Sequence, residues 1–248
     1  MGFVKPTTRT LALCVLGSTL AFQAQAQDEQ VARMRTALAA PARPAEDKER
    51  DAVRKPIETI QFLGIKTGQT VIDVIAAGGW FTDVLSAAVG PSGKVLAQNP
   101  EFFVSRPGFA ENEKQRHDRL GNVQAVHGEL AANGIASQAD AAVTALNLHD
   151  LYNGQNGEGA AVAFAKGVYD ALKPGGVFGV IDHVGIAGQD NAAFHRMQLA
   201  QARDVLTKAG FKVEAESNIL ANPADDHTKG VRDMARHTDQ FLLRARKP

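Results

Sequence analysis

Cysteine is almost missing from this chain, with Cys14 alone among 248 residues. A single thiol rules out an internal disulfide framework and a thiolate metal cluster. Leu13 stands before it where a lipid-attachment site needs a small residue, so Cys14 reads as filler of an apolar stretch. Neither sign of charge is in excess, with 27 Lys+Arg against 27 Asp+Glu. That balance offers no general attraction to nucleic acid or anionic lipid, and neither is expected as a partner. Familiar motifs are missing too. There is no G-x-S-x-G elbow, no phosphate-binding G-x-x-x-x-G-K-[ST], no H-E-x-x-H and no G-x-G-x-x-G, so hydrolase, nucleotide triphosphatase, zinc protease and dehydrogenase readings have little to stand on.

Long apolar runs are scarce as well. The one at Leu11 to Phe22 follows Lys5 and Arg9 and precedes Ala24-Gln25-Ala26, a small-x-small cleavage pattern. A run of about a dozen residues is short for a membrane span and suits the core of a secretory signal. The expected organisation is a signal peptide over 1–26, a helical extension over 27–63 and an α/β domain over 64–248. The expected location is periplasmic or secreted, with no stable membrane insertion after cleavage. Without Lys5 and Arg9 the mature chain is slightly acidic and holds no cysteine at all, which also excludes a cysteine nucleophile.

What is present is an alternation. Residues 28–40 read as a short helix or frayed arm, ended by Pro41-Ala42-Arg43-Pro44. Residues 45–63 read as helical in two pieces divided near Pro56 and stopped by Gly64. Glu46 and Arg50 stand four apart and can pair, and Val53, Ile57 and Ile60 share a face. Strands are then expected at 70–75, 94–98, 123–127, 140–146 and 176–182, and helices at 79–89, 107–120, 157–172 and 191–209. Such spacing implies βαβ units and a parallel sheet. Residues 212–219 and 240–246 alternate as strands without a helix between them, which suggests antiparallel pairing at one edge.

In Thr70-Val71-Ile72-Asp73-Val74-Ile75-Ala76-Ala77-Gly78-Gly79-Trp80-Phe81-Thr82, an apolar strand runs into a turn of small residues and then a helix. Leu172-Lys173-Pro174-Gly175-Gly176 and Ala209-Gly210-Phe211 each precede a strand. These segments resemble the class I methyltransferases that use S-adenosylmethionine. Gly78-Gly79-Trp80-Phe81-Thr82, Asn222-Pro223-Ala224-Asp225-Asp226-His227-Thr228 and Thr238-Asp239-Gln240-Phe241 resemble more closely a group of exported bacterial predicted methyltransferases, and the similarity covers nearly all of 43–248. The resemblance implies a doubly wound α/β fold with a mostly parallel seven-stranded sheet, its last strand antiparallel, behind an N-terminal helical extension. It also implies S-adenosylmethionine as cofactor and a small molecule as methyl acceptor, with the oligomeric state left open.

The family's D-x-G-x-G-x-G would put glycine at 75, 77 and 79, where this chain has Ile75, Ala77 and Gly79. A β-branched residue is strained at positive φ, so either the turn has another shape or Ile75 stays in the β region. The cofactor-binding residues implied by the resemblance are Asp73, Ala77, Gly78, Gly79, Asn99 and Glu129. Asp73 would orient the turn and the methionine amino end, or cap nearby amides. Asn99 stands where the family has an acid for the ribose hydroxyls, and can accept only through its amide oxygen. Glu129 would lie beside the adenine or in the first turn of a helix.

Asn147, His149 and Asp150 follow one expected strand, and Asp182 and His183 end the next. In a parallel sheet all such ends open on one crevice, so the two histidines can meet. His183, His149 and Asp182 are the catalytic candidates, each imidazole a general base titrating near neutral pH. The same three groups could instead bind a divalent ion, although no metal ligand is assigned. Asp225, Asp226 and His227 could form a lid, Tyr152 and Trp80 could line the pocket, and Arg50, Arg54 and Lys55 form a basic helical face. The leading function is S-adenosylmethionine-dependent methyl transfer. The alternatives are a non-catalytic periplasmic binding protein with the same fold, and a metal-dependent enzyme using the same crevice.

Overall fold

The computed structural model describes the backbone of residues 9–234 and 237–248, and side chains from residue 24 onward. Residues 1–8 of the expected signal peptide lie outside the described residues. Seven strands form one sheet: β1 (Thr70–Val74), β2 (Lys94–Asn99), β3 (Val123–His127), β4 (Ala139–Ala145), β5 (Leu172–His183), β6 (Lys212–Ser217) and β7 (Gln240–Arg246). Their order is β3-β2-β1-β4-β5-β7-β6. The first five pair in parallel, and β7 runs antiparallel to both β5 and β6. This is the expected doubly wound sheet with its last strand antiparallel. The antiparallel pairing expected at one edge is that of β6 with β7: β7 is inserted between β5 and β6, and β6 forms the border.

The sequence reason for two covered faces is visible in β1, where Val71, Ile72, Asp73 and Val74 are all buried. A strand buried on both sides reads as a continuous apolar run. Val71, Val95, Ala141, Val143 and Leu242 point to one side. There they meet α1 (Arg9–Ala39), α3 (Pro56–Leu63) and α4 (Trp80–Val89). Ile72, Val74, Leu96, Phe178, Val180 and Leu243 point to the other. That face is closed by α8 (Gly157–Ala171) and α9 (Leu199–Lys208) through Ala165, Val168, Val205 and Leu206. Gly179 of β5 admits α3, since a Cβ there would lie 2.7 Å from both Leu63 methyl carbons.

The N-terminal helices form a fitted cover. The arm after residue 27 is the C-terminal half of α1, and Met34 and Leu38 are buried in the α4 face of the core. Gln30 Nε2 donates to the carbonyls of Ile65 and Ala88, both at 2.9 Å. Helices α2 (Ala45–Arg54) and α3 are the expected pair, joined at Lys55 (φ 42°), and Gly64 (φ 71°) ends the second. Two details differ. Arg50 pairs with Asp47, at 3.5 Å. Val53 is exposed on α2 while Ile60 is buried on α3, because the break at Lys55 turns the two helices apart.

Two short helices were not expected: α5 (Glu101–Val104) and α7 (Leu148–Asn153). Helix α6 (Phe109–Leu120) fills the β2–β3 crossover. The expected helix over 191–209 forms only in its second half, as α9. Its first half is irregular because Arg196 is drawn fully inside. Arg196 makes a bidentate pair with Asp225 at 2.9 and 3.1 Å, and donates to the carbonyls of Val184 and Lys229. Asp225, Asp226 and His227 therefore do not form a free lid. Asp225 is the anchor of its loop, also accepting from the amides of His227 and Asp239.

Candidate functional site

Every parallel strand opens on one crevice, and backbone strain gathers there. Ile75 (φ 58°), Ala77 (φ 48°), Leu146 (φ 63°), His195 (φ 53°) and His227 (φ 63°) are non-glycine residues in the left-handed region at that end of the sheet. Such strain persists only where surrounding bonds over-determine it, and it clusters at functional sites. The expectation that Ile75 avoids positive φ is overturned. With Gly79 (φ 75°), the left-handed residues fall at 75, 77 and 79, the positions where the resembled motif carries glycine.

Side chains hold the turn in that shape. Gln98 Oε1 accepts from the Ile75 amide at 3.0 Å, and Asn99 Oδ1 accepts from the Ala77 amide at 2.7 Å. Thr144 Oγ1 donates to the Val74 carbonyl at 3.1 Å, and Asn147 Nδ2 donates to the Ile75 carbonyl at 3.4 Å. Gln98 lies buried in β2 and gave no motif signal. Gly79 begins α4 without a side-chain cap, and α4 thereby turns its first amides toward the crevice. Arg116 of α6 lies over Gly79, where a Cβ would sit 2.6 Å from its Cδ. Its guanidinium pairs with Asp47 at 2.9 Å and with Asp83.

Two cavities flank the turn. One, of about 190 Å³, lies between Ala76–Gly79, Asn99, and Glu113 and Arg116 of α6. The other, of about 110 Å³, lies between the turn, Asp73, Arg50, Arg54, Trp80 and Asn147. Asp73, Ala77, Gly78, Gly79 and Asn99 are thus brought together. Glu129 is not: its side chain is exposed and lines neither cavity. An acid the sequence did not mark takes the place beside Asn99. Glu113 accepts from Asn99 Nδ2 at 3.3 Å and from His127 Nε2 at 2.8 Å.

Asp73 is buried, and burial pushes its carboxyl up to about 7 against the pull of the Thr82 hydroxyl (2.6 Å) and the Arg116 charge. Trp80 lines the smaller cavity as expected while largely buried, its indole N–H bonded to the Asp47 carbonyl at 2.9 Å, with the Arg54 guanidinium 4.8 Å from the ring centroid. Tyr152 packs against the core. The basic face is divided: Lys55 donates to the Ile219 carbonyl at 2.6 Å, while Arg50 and Arg54 line the smaller cavity.

Across the crevice the two histidines meet as expected, their ring centroids 5.5 Å apart. Asp182 is wholly buried between them. It accepts from His149 Nδ1 (2.6 Å), from the His149 amide (2.8 Å) and from the His183 amide (2.8 Å). Its oxygens thus hold the His149 ring and the backbone of both histidines in place. Burial lowers His149, but the carboxylates of Asp182 and Asp150 outweigh it and lift the ring to about 10. Both ring nitrogens of His149 thus face carboxylates, Asp182 at Nδ1 and Asp150 at Nε2. Burial, against Asp182 and with the charges of His149, Arg196 and Arg54, lowers His183 to about 4. His183 is the neutral imidazole of the pair, with Nδ1 2.5 Å from Thr238 Oγ1. A third histidine, unmarked in the sequence, joins this end: His195 Nδ1 lies 2.8 Å from Asp150 Oδ1. His149 and His195, with Asp150 between them, form a cluster able to hold a metal ion.

No protein-family model and no curated protein matches the chain. Solved structures do. It is similar to an S-adenosylmethionine-dependent methyltransferase of Aquifex aeolicus, at TM-score 0.59 and 19% identity over 83% of this chain and 99% of that one. It is similar to the 1,6-didemethyltoxoflavin-N1-methyltransferase of Burkholderia thailandensis, solved with S-adenosylhomocysteine bound, at TM-score 0.53 and 16% identity over 100% and 93%. It is also similar to the [4+2]-cyclase SpnF, at TM-score 0.59 and 16% identity over 85% of each chain. At these identities the likeness is one of fold. The chain has the class I methyltransferase, Rossmann-like fold, and a cyclase among its neighbours shows that this fold alone does not set the reaction.

Proposed function

We propose that the protein binds S-adenosylmethionine at the Ile75–Gly79 turn and transfers its methyl group to a small molecule. The observation that carries this reading is the φ pattern of the turn. Holding Ile75 and Ala77 in the left-handed region costs about 1–2 kcal/mol each. Four side chains, on Gln98, Asn99, Thr144 and Asn147, are spent on keeping it. A turn that merely joined a strand to a helix would need no such shape.

The residues present fit the cofactor in part. The uncapped head of α4 suits its carboxylate, and Asp73 at the end of β1 suits its amino group. Asn99 is occupied by the Ala77 amide, so the ribose hydroxyls would fall to Glu113. Both cavities are smaller than the roughly 300–1,000 Å³ usual for ligand sites, so Arg116 must move for the cofactor to enter. When bound, S-adenosylmethionine supplies an electrophilic methyl group. The chain's part is alignment of the acceptor and removal of its proton. His183 does the latter at Nε2 while Nδ1–H donates to Thr238, and Asp182 fixes the His149 ring and the His183 backbone amide.

The chain acts outside the cytoplasm in this reading, with residues 1–26 removed as a leader, 27–63 left as the helical extension and 64–248 as the catalytic domain. Residues 24–29 are exposed and packing starts at Gln30, so cleavage after Ala26 would remove no described contact with the domain. Among the described residues no helix is long and apolar enough to cross a membrane.

Calorimetric titration with S-adenosylmethionine and S-adenosylhomocysteine tests the reading. Saturable binding, weakened in Glu113→Ala, is expected, and no heat at millimolar ligand overturns it. A second reading, a fold that binds a nucleoside ligand without turning it over, draws on one observation, the Arg116 guanidinium held across Gly79 by Asp47 and Asp83. Binding with no methyl transfer to any of a panel of small acceptors would select it.

A further inference from the structure

We propose that His149, Asp150 and His195 form a binding site for a first-row divalent metal ion at the C-terminal ends of β4 and β5. His149 Nε2 lies 3.2 Å from Asp150 Oδ1, and His195 Nδ1 lies 2.8 Å from the same oxygen. Two ligands each about 2.1 Å from one ion stand roughly 3–3.4 Å apart in octahedral or tetrahedral geometry. Two of the three edges of such a polyhedron are therefore close to their bonded length, and the three ligand atoms all lie within 4.8 Å of one another. The two imidazole planes meet at 88° with centroids 5.7 Å apart, so both rings can aim at one point without stacking.

Three further observations separate this cluster from a chance meeting of surface charges. His149 is buried, and its other nitrogen donates to Asp182, itself wholly buried, at 2.6 Å. A ligand histidine whose second N–H is held by a carboxylate is the usual outer-shell arrangement of protein metal sites. His195 is kept at φ 53° by its neighbour Arg196, which is locked to Asp225, so an unfavourable backbone conformation presents its ring to Asp150. The side chains of Asp150 and His195 are 61% and 42% exposed, which leaves the remaining coordination positions open on the crevice side. Two imidazoles and one carboxylate favour zinc, manganese, iron or cobalt over magnesium or calcium. An ion here would offer open positions to an oxygen ligand of a small molecule, whether or not the turn at Ile75–Gly79 binds its cofactor.

The test uses the purified, untagged chain, stripped with a chelator and titrated calorimetrically with zinc and manganese in the absence of any nucleoside. Cobalt absorption in the visible range serves as a second readout. One ion per chain is expected, with release to solvent of the proton that His149 Nε2 shares with Asp150. His195→Asn, which tolerates the left-handed backbone, should weaken binding at least a hundredfold and bleach the cobalt spectrum. Asp182→Asn should weaken binding about 10- to 100-fold in protein shown by circular dichroism to be folded. His127→Asn, on the far side of the sheet beside Glu113, should change nothing. Absence of binding below millimolar metal, or binding that survives His195→Asn, overturns the proposal.

Discussion

The two sides of the crevice are built on opposite terms. On the β1–β2 side, a strained turn is fastened by neutral amides, Gln98, Asn99 and Asn147, and the charged groups that line its cavities, Asp73, Arg50, Arg54, Glu113 and Arg116, make none of those bonds. On the β4–β5 side, Leu146 and His195 are strained as well, but the chemistry is ionisable, with His149, Asp150, Asp182, His183 and His195 within one network. One sheet edge keeps a geometry with residues that resist it. The other keeps ionisable groups in protonation states that only burial and mutual pairing allow. In the function proposed above, recognition falls to a backbone and reactivity to side chains.

The sharpest way to break the comparison is Asp182→Ala. It strips His149 and His183 of three hydrogen bonds and should cost about 3–5 kcal/mol, a fall of about 6–20 °C in Tm for a domain of this size. A loss under 1 kcal/mol would mean the network is loosely held. Next comes pH on the other side. Asp73, raised from 3.8 to about 7, favours the folded state while it keeps its proton, and that contribution is lost as pH rises from 3.8 through 7. Asp73→Asn should therefore stabilise the protein by about 1–3 kcal/mol at pH 8.5 and by almost nothing at pH 4, as read from denaturant melts.

The histidines sharpen this contrast in opposite directions. His149, raised to about 10, stabilises fully below pH 6.5, and its share is lost as pH climbs toward 10. His183, lowered to about 4, stabilises above pH 6.5, and its share is lost as pH falls toward 4. Proton-resolved NMR should show one imidazolium and one neutral ring at pH 7, and two neutral rings would refute the assignment. Asn99→Asp should destabilise by about 1 kcal/mol, because the second oxygen would face Glu113 where Nδ2 now donates. Glu113→Gln should restore that loss. The smallest effect is Ala77→Gly, expected to add about 0.5–1 kcal/mol by removing the left-handed penalty.

Most of the sheet was legible because its pattern is local. β1, β2 and β3 alternate with helices of ordinary length, and Gly64 announces the end of α3 by a preference that needs no tertiary context. The meeting of His149 and His183 followed from topology, since both close adjacent parallel strands. His195 was hidden in a segment that reads as helix. Its place depends on Arg196 choosing a buried carboxylate 29 residues away over a solvent-facing position, a long-range event with no periodic trace. Glu113 was hidden for a similar reason, lying on a polar helix whose register over the turn is set by the Arg116–Asp83 pair. Ile75 misled in the other direction. Its own preference is against the turn, and hydrogen bonds from three neighbouring segments override it.

The placement of β7 governs the order in which this chain is able to assemble. The sheet's outermost strand, β6, leaves the ribosome before β7, yet it has no neighbour to hydrogen-bond until β7 arrives between it and β5. After residue 183 the nascent chain therefore carries β5 as a provisional border, and between residues 217 and 240 it carries β6 as an unpaired ribbon. Pairing of distant segments is slow, so completion waits on Gln240–Arg246. A chain shortened by these seven residues would not lose a tail. It would lose the rung that joins the border strand to everything before it.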